Sequence, residues 1–309
     1  MKHKKSYFKK TISIGLALIL MIDTMVITAL VQNYVLKKKF NRQLQTIMAA
    51  NINPEDLVKE ITRQVTPANG YTTSLSWGDL GLKLVESGAI DQMKYQEIFN
   101  SKTNGLEDMV IFDGQDKPIS INENNSRFVV NTLWALGLVS KSKVLDEGLM
   151  KTSGTDTGNF ASTGGWTLGS KDAMQIYSSQ ELIPLTDDQQ DLVQQIALNV
   201  YRPCCGNHTA FPDCNHGMAA LGYIELDVSK GLSEDQIYQD LLAFNSFWFP
   251  QTYVEMAVFF QNEKSTSWEN IDAKLALGQE FSSAQGAQKI RAAVQNVPGL
   301  KSQGGSCGA

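Results

Sequence analysis

Tyr201-Arg-Pro-Cys-Cys-Gly-Asn-His-Thr-Ala-Phe-Pro-Asp-Cys-Asn-His-Gly217 reads as a loop set between two helices. Upstream, Thr186-Asp187-Asp188-Gln189 has the form of a capping box, in which the first and fourth side chains each satisfy a free backbone N–H of the other residue. Leu192, Ile196, Ala197 and Val200 then recur at helical spacing as far as Tyr201. Pro203 lacks an amide hydrogen and disfavours continuation, so the helix ends there. Gly206-Asn207 and Pro212-Asp213 supply two turns. Asn215 or Asp213 is placed to cap the next helix, which runs through Met218, Leu221, Ile224 and Leu226 and ends at Gly231.

The same signals recur outward from this loop. Ser233-Glu-Asp-Gln236 is a second capping box, opening a helix with Ile237, Leu241, Leu242 and Phe244. After Pro250 a further apolar helix spans Tyr253 to Phe260, and two more occupy roughly 267–278 and 283–297, the last ended by Pro298-Gly299. On the N-terminal side, Asn53-Pro54-Glu55-Asp56 combines a cap, a proline at the first helical position and acids at the positive end of the helix dipole. Residues 78–99 read as an αα-hairpin with a stop at Ser87-Gly88 and a cap at Asp91. From Asn125, Phe128 to Val139 is apolar on more than one face, the pattern of a buried helix. Met109-Val110-Ile111-Phe112 and Pro118-Ile119-Ser120-Ile121 are the strand candidates, a small hairpin over 109–121.

Charge is unevenly distributed along the 309 residues. Residues 1–42 carry eight lysines, one arginine and one acid, Asp23, for a net of +8; the whole chain is −5, so residues 43–309 carry −13. An acidic body without a basic stripe argues against a nucleic-acid partner, which needs cations to neutralise phosphate. Five lysines precede, and Lys37, Lys38, Lys39 and Arg42 follow, an apolar run from Ile12 to Val31. About twenty such residues suffice to cross a bilayer as a helix, and the flanking charges favour a cytoplasmic N-terminus. The expectation is an uncleaved membrane anchor, with a cleaved signal peptide as the alternative. The body then lies outside the cytoplasm, where thiols meet an oxidising setting. The membrane, and another membrane or extracytoplasmic protein, are the expected partners besides a metal ion.

Three of the four cysteines and two of the three histidines fall within 204–216. Thiolate sulfur is a soft ligand and neutral imidazole suits zinc or copper. Cys214 falls at or just before a helix N-terminus, where the dipole and free N–H groups favour the thiolate. Cys205, Cys214 and His216 are the first candidate ligands, then Cys204, because adjacent side chains tend to diverge, then His208. Cys307, in a glycine-rich tail, is placed either to complete a ligand set or to act as a resolving thiol. Two other readings stay open: a thiol–disulfide oxidoreductase with Cys214 attacking and Cys205 as its partner, and an interaction protein whose loop is held by a structural disulfide such as Cys205–Cys214. No phosphate loop, nucleophile elbow or HExxH helix competes as a site.

Pro-Cys-Cys-Gly-Asn-His, Asp-Cys-Asn-His-Gly and the following Lys-Gly-Leu-Ser-Glu-Asp-Gln-Ile-Tyr-Gln-Asp-Leu-Leu resemble two bacterial extracytoplasmic groups over about residues 200–245. One is the lipoproteins with a Pro-Cys-Tyr-Cys-Gly-Cys motif, the other the CcmH-type thiol proteins of cytochrome c maturation. The resemblance implies a membrane-tethered protein handling metal or thiols, with Cys205 and Cys214 nearest to the motif cysteines. Cys204-Cys205 stands where those families space their pair.

The expected fold is therefore mainly α: one N-terminal transmembrane helix, a soluble body of about ten helices, and the hairpin at 109–121. Residues 1–10 are expected as a basic cytoplasmic tail, 11–36 as the anchor and 37–150 as an N-terminal helical region. A Gly/Ser/Thr loop at 151–170, a Cys/His-containing helical domain at 171–300 and a flexible Cys-containing tail at 301–309 complete the division. The expected function is binding of zinc or copper, with no catalytic residues assigned.

Overall fold

Residues 53–300 are described by a computed structural model of the chain. Helix α1 (Pro54–Val65) starts at its proline with Glu55 and Asp56 in the first turn. It is followed by strand β1 (Tyr71–Ser76), α2 (Leu80–Ser87), α3 (Gln92–Ile98), strand β2 (Pro118–Ile121) and α4 (Ser126–Val139). The second half holds α5 (Asp187–Asn199), α6 (Asn215–Ser229), α7 (Glu234–Trp248), α8 (Pro250–Phe259) and α9 (Ala284–Val294). Shorter helical turns link them.

Most start signals read from sequence act as expected, but α6 is capped by Cys214 and not by Asn215 or Asp213. Asp91 accepts hydrogen bonds from the Met93 and Lys94 amides, Thr186 and Gln189 form the reciprocal capping box of α5, and Ser233 caps α7 through the Gln236 amide. Gly88 ends α2 in the left-handed region at φ 84°, a conformation that costs glycine little.

At the centre lie α4 and α6, the most extensively packed pair of elements. Residues Phe128 to Val139 and His216 to Val228 are buried on every face. The two helices cross at Gly137 and Gly222, backbone against backbone: a Cβ on Gly137 would collide with the Met218 carbonyl, and one on Gly222 with the Gly137 amide. The Gly/Ser/Thr segment carries single turns at Leu149–Thr152 and Ala161–Gly164 and is sewn into this core. Trp134 Nε1 donates to the Ser162 carbonyl at 2.6 Å, and Trp166 Nε1 to the Ala89 carbonyl at 2.9 Å.

Two expectations are corrected. The hairpin at 109–121 does not form. Met109–Phe112 lies in a 3-10 helix, Leu106–Asp113, bounded by left-handed Gly105 and Gly114. Alternation in a strand would send Ile111 and Phe112 to opposite faces, whereas both are buried, and Phe112 meets Tyr95 edge to face at 5.1 Å. Only Pro118–Ile121 is a strand, and it pairs antiparallel with β1 (Tyr71 opposite Ile121, Thr72 opposite Ser120).

The second correction concerns the membrane. Among the described residues no helix is long and apolar enough to cross one. The longest, α6 and α7, have 15 residues each, about 22 Å against a hydrocarbon core of about 30 Å. Segments 1–10, 11–36 and 301–309 lie outside the described residues, so the transmembrane part of the fold class and the membrane location have no element of the structure behind them.

Candidate metal centre

The loop between α5 and α6 is closed at its base by backbone bonds. Thr209 N–H donates to the Val200 carbonyl at 2.8 Å, Tyr201 bridges to His208, and Tyr201 N–H reaches Leu277 O at 2.8 Å. Two further helical segments of the body are tied to it: Ser162 N–H donates to Asp213 O at 3.1 Å and Ala284 N–H to Cys205 O at 2.9 Å.

Inside this ring sits the side chain of Arg202, 1% exposed. Nη1 donates to Asn207 O at 3.1 Å, and Nη2 to Phe211 O at 3.1 Å and Asp213 Oδ1 at 2.6 Å. Its Nε donates to Cys214 Sγ at 3.1 Å. Asp213 is held in turn by Asn207 Nδ2 at 2.8 Å. The guanidinium lies flat against Gly217, where a Cβ would strike it at 2.5 Å. Burial opposes the arginine's charge, but the three nearby cysteine sulfurs more than offset it, and Arg202 holds its proton more firmly than a free guanidinium does.

Cys204, Cys205 and Cys214 converge. Their three sulfurs lie within 4.8 Å of one another, with Cys204 Sγ 3.6 Å from Cys214 Sγ, and all three thiols are free. Adjacent cysteines share the site because Cys205 N–H closes a turn on Arg202 O at 3.4 Å. The backbone rotates between the two residues instead of alternating them as a strand would.

Cys214 is the N-cap of α6, its sulfur accepting from Gly217 N–H at 3.4 Å. Hydrogen bonds from Cys204 and Cys205 hold its pKa well below the usual thiol range, and Arg202 reinforces them against burial. Cys204 is pushed far up, first by its hydrogen bonds to Cys205 and Cys214, then by burial. At Cys205 the bond with Cys204 lowers the pKa, but the bond with Cys214 and burial prevail, raising it to about 11. Of the three sulfurs Cys214 therefore most favours the thiolate, while Cys204 and Cys205 favour the thiol.

The histidines stand apart. Neither offers a nitrogen within the sulfur group. His216, expected beside Cys205 and Cys214, turns its ring onto Phe249 and Trp248 with centroids at 4.4 and 5.6 Å. Burial lowers its pKa to about 4 against the pull of the Cys214 charge. His208 packs edge-on to Tyr201 at 5.9 Å, its pKa lowered by burial and then by Arg202. Cys307 lies outside the described residues.

A cleft of about 320 Å³ opens beside Cys204, walled by Pro203, Trp248, Phe249, Pro250 and one face of α9. Neither it nor Arg202 figured in the sequence reading. The signal for Arg202 was an arginine set directly before Pro203-Cys204-Cys205 in a body that is strongly acidic.

No protein-family model, curated protein or solved structure matches this chain. What the site itself supports is coarse: three cysteines placed so that they could hold a metal ion.

Proposed function

We propose that the chain is a metal-binding protein that holds one zinc ion through Cys204, Cys205 and Cys214. The observation that carries this reading is the sulfur triangle. A zinc–sulfur bond of about 2.3 Å in tetrahedral geometry separates sulfurs by about 3.8 Å, close to the 3.6 Å between Cys204 and Cys214. Copper(I) accepts the same ligands. Zinc is favoured by charge, because each buried thiolate beside Arg202 needs compensation and a divalent ion supplies one more unit than copper(I). Binding releases the protons of Cys204 and Cys205, while Cys214 is already poised as the anion. Arg202, Asp213 and Asn207 would keep the sulfurs aimed inward as supporting partners of the ligands.

Metal analysis of protein purified without chelator tests this. Wild type is expected to carry close to one zinc per chain and Cys214→Ser far less. Equal content in both, or none in either, would overturn the reading.

A second reading is favoured by one observation, the pairing of a stabilised thiolate with a thiol 3.6 Å away. As an oxidoreductase, Cys214 would attack a disulfide of the partner, releasing one of its sulfurs as a thiolate. Cys204 would then displace the second, leaving a Cys204–Cys214 disulfide and a reduced partner. A potential for that disulfide below about −300 mV would mark it as structural and remove this reading.

A further inference from the structure

We infer that the cleft beside Cys204 binds a small apolar acid bearing a thiol, whose carboxylate pairs with Arg291 and whose sulfur takes the fourth position of the metal centre. This rests on the metal-binding reading above. A zinc ion with three protein ligands takes water or a ligand from outside in its fourth position. The described residues bring three sulfurs together and turn both nearby imidazoles away. Of the three cysteines Cys204 alone lines the cleft, so a ligand that enters there meets the sulfurs from the Cys204 side.

Arg291 is the only charged residue on the cleft lining. Its Nε donates to Glu255 Oε2 at 3.1 Å, and Gln251, also on the lining, donates through Nε2 to Glu255 Oε1 at 3.0 Å. Glu255 is buried, so it fixes both side chains from behind. Nη1 and Nη2 of Arg291 make no hydrogen bond among the described residues. That edge of a guanidinium presents two parallel N–H donors, the fork that pairs with a carboxylate.

Pro203, Pro250, Trp248 and Phe249 supply apolar walls for the body of the ligand. The volume of about 320 Å³ is at the small end of ligand pockets. Ala284 N–H holds the Cys205 carbonyl, and Arg291 lies seven residues further along α9, about 10 Å of helix axis. Helical side chains lean towards the N-terminus, so the guanidinium reaches back towards the sulfurs. The body between thiol and carboxylate is therefore one ring or a few carbons. On binding, the ligand's thiol gives its proton to solvent and its sulfur replaces water at the fourth position.

The test is calorimetric titration of the zinc-loaded full chain, with zinc content measured on the same sample. Three probes are compared: para-(mercaptomethyl)benzoate carries both groups, para-toluate lacks the thiol and benzyl mercaptan lacks the carboxylate. The first is expected to bind at least about tenfold more tightly than either of the others. Arg291→Lys, which keeps a charge beside Glu255 but not the fork, and Arg291→Gln should each weaken it about tenfold and leave benzyl mercaptan unchanged. With cobalt(II) in place of zinc, both thiol probes should shift the ligand-field bands to those of a four-sulfur site, and para-toluate should not. If the chain holds zinc but the first probe binds no better than benzyl mercaptan, or the Arg291 variants bind it as wild type does, the inference is wrong while the three-cysteine reading stands. If the chain holds no zinc, both are wrong. Where a variant fails to fold, the comparison of probes on wild type decides.

Discussion

Arg202 places a full positive charge where water does not reach, and such a charge costs several kcal/mol unless partners replace its hydration. Four hydrogen bonds in a planar fork do so, two to carbonyls, one to Asp213 and one to Cys214. A lysine carries the charge but cannot reproduce the fork. Arg202→Lys is therefore expected to lower stability by about 3–5 kcal/mol in urea unfolding. Arg63→Lys, at an exposed pair with Glu60, should change it by less than about 0.5 kcal/mol. The same guanidinium helps to hold the Cys214 thiolate, so alkylation of Cys214 in metal-free protein should persist below the ordinary thiol range. In Arg202→Lys its midpoint, followed by peptide mass, should move to higher pH. Clustered cysteines were legible because soft ligands are rare and were adjacent in the chain. Arg202 was not, since two of its four partners are backbone carbonyls that a side-chain pattern does not display. The imidazole of His216 was misplaced for a related reason: sequence proximity to Cys214 did not reveal the aromatic wall at Trp248 and Phe249 that claims the ring.

Caps, stops and the helical period allowed most helices to be read directly, because those signals act within one turn. The pairing of β1 with β2 was hidden because Tyr71 and Ile121 are fifty residues apart, and Tyr71–Ser76 has only one fully buried position to mark it as a strand. Element packing then sets two expectations. Ala at position 137 or 222 improves helix propensity, yet its methyl group enters the other helix's backbone. Gly137→Ala and Gly222→Ala should each destabilise by about 1–3 kcal/mol or more, read from denaturant midpoints. Helix α6 also buries two acids without hydrogen-bond partners at their carboxyl oxygens, Glu225 and Asp227. Burial raises Glu225 to about 8; burial and the charge of Asp240 raise Asp227 to about 9. Asp240, just as buried, is the better hydrogen-bonded of the two, accepting from Tyr71, Tyr223 and Gln236. A folded pKa above the unfolded one means that the folded state binds the proton more tightly. Its contribution is complete below the ordinary carboxyl pKa and lost as pH rises through the folded value. Glu225→Gln should therefore gain stability relative to wild type by a few kcal/mol between pH 5 and pH 8, and a flat difference across that window would contradict the burial of a neutral acid.

Loop 201–217 is where distant parts of the molecule meet. Through backbone bonds it joins the ends of α5 and α6, the turn before Gly278, the start of α9 and the 161–164 turn, and the N-terminus of α6 leads directly into the central α4–α6 crossing. A ligand that fixes this loop in the folded state alone must stabilise everything it is tied to by mass action. At free zinc one hundred times the dissociation constant the gain is about 2.7 kcal/mol. For a body of this size about 2–4 °C of Tm follows from each kcal/mol, so zinc should raise the melting temperature of the whole chain by roughly 5–11 °C. Chelator should reverse the shift, and Cys214→Ser should show none. Far-ultraviolet circular dichroism and Trp fluorescence should move together, because Trp248 stands at the cleft while Trp134 and Trp166 pack against each other in the core. A shift seen only in fluorescence would mean that the loop orders locally without coupling to the body. No shift by either probe, at zinc concentrations that fill the site, would mean that the unfolded cysteines bind the ion as well as the folded ones, and that the preformed triangle contributes nothing.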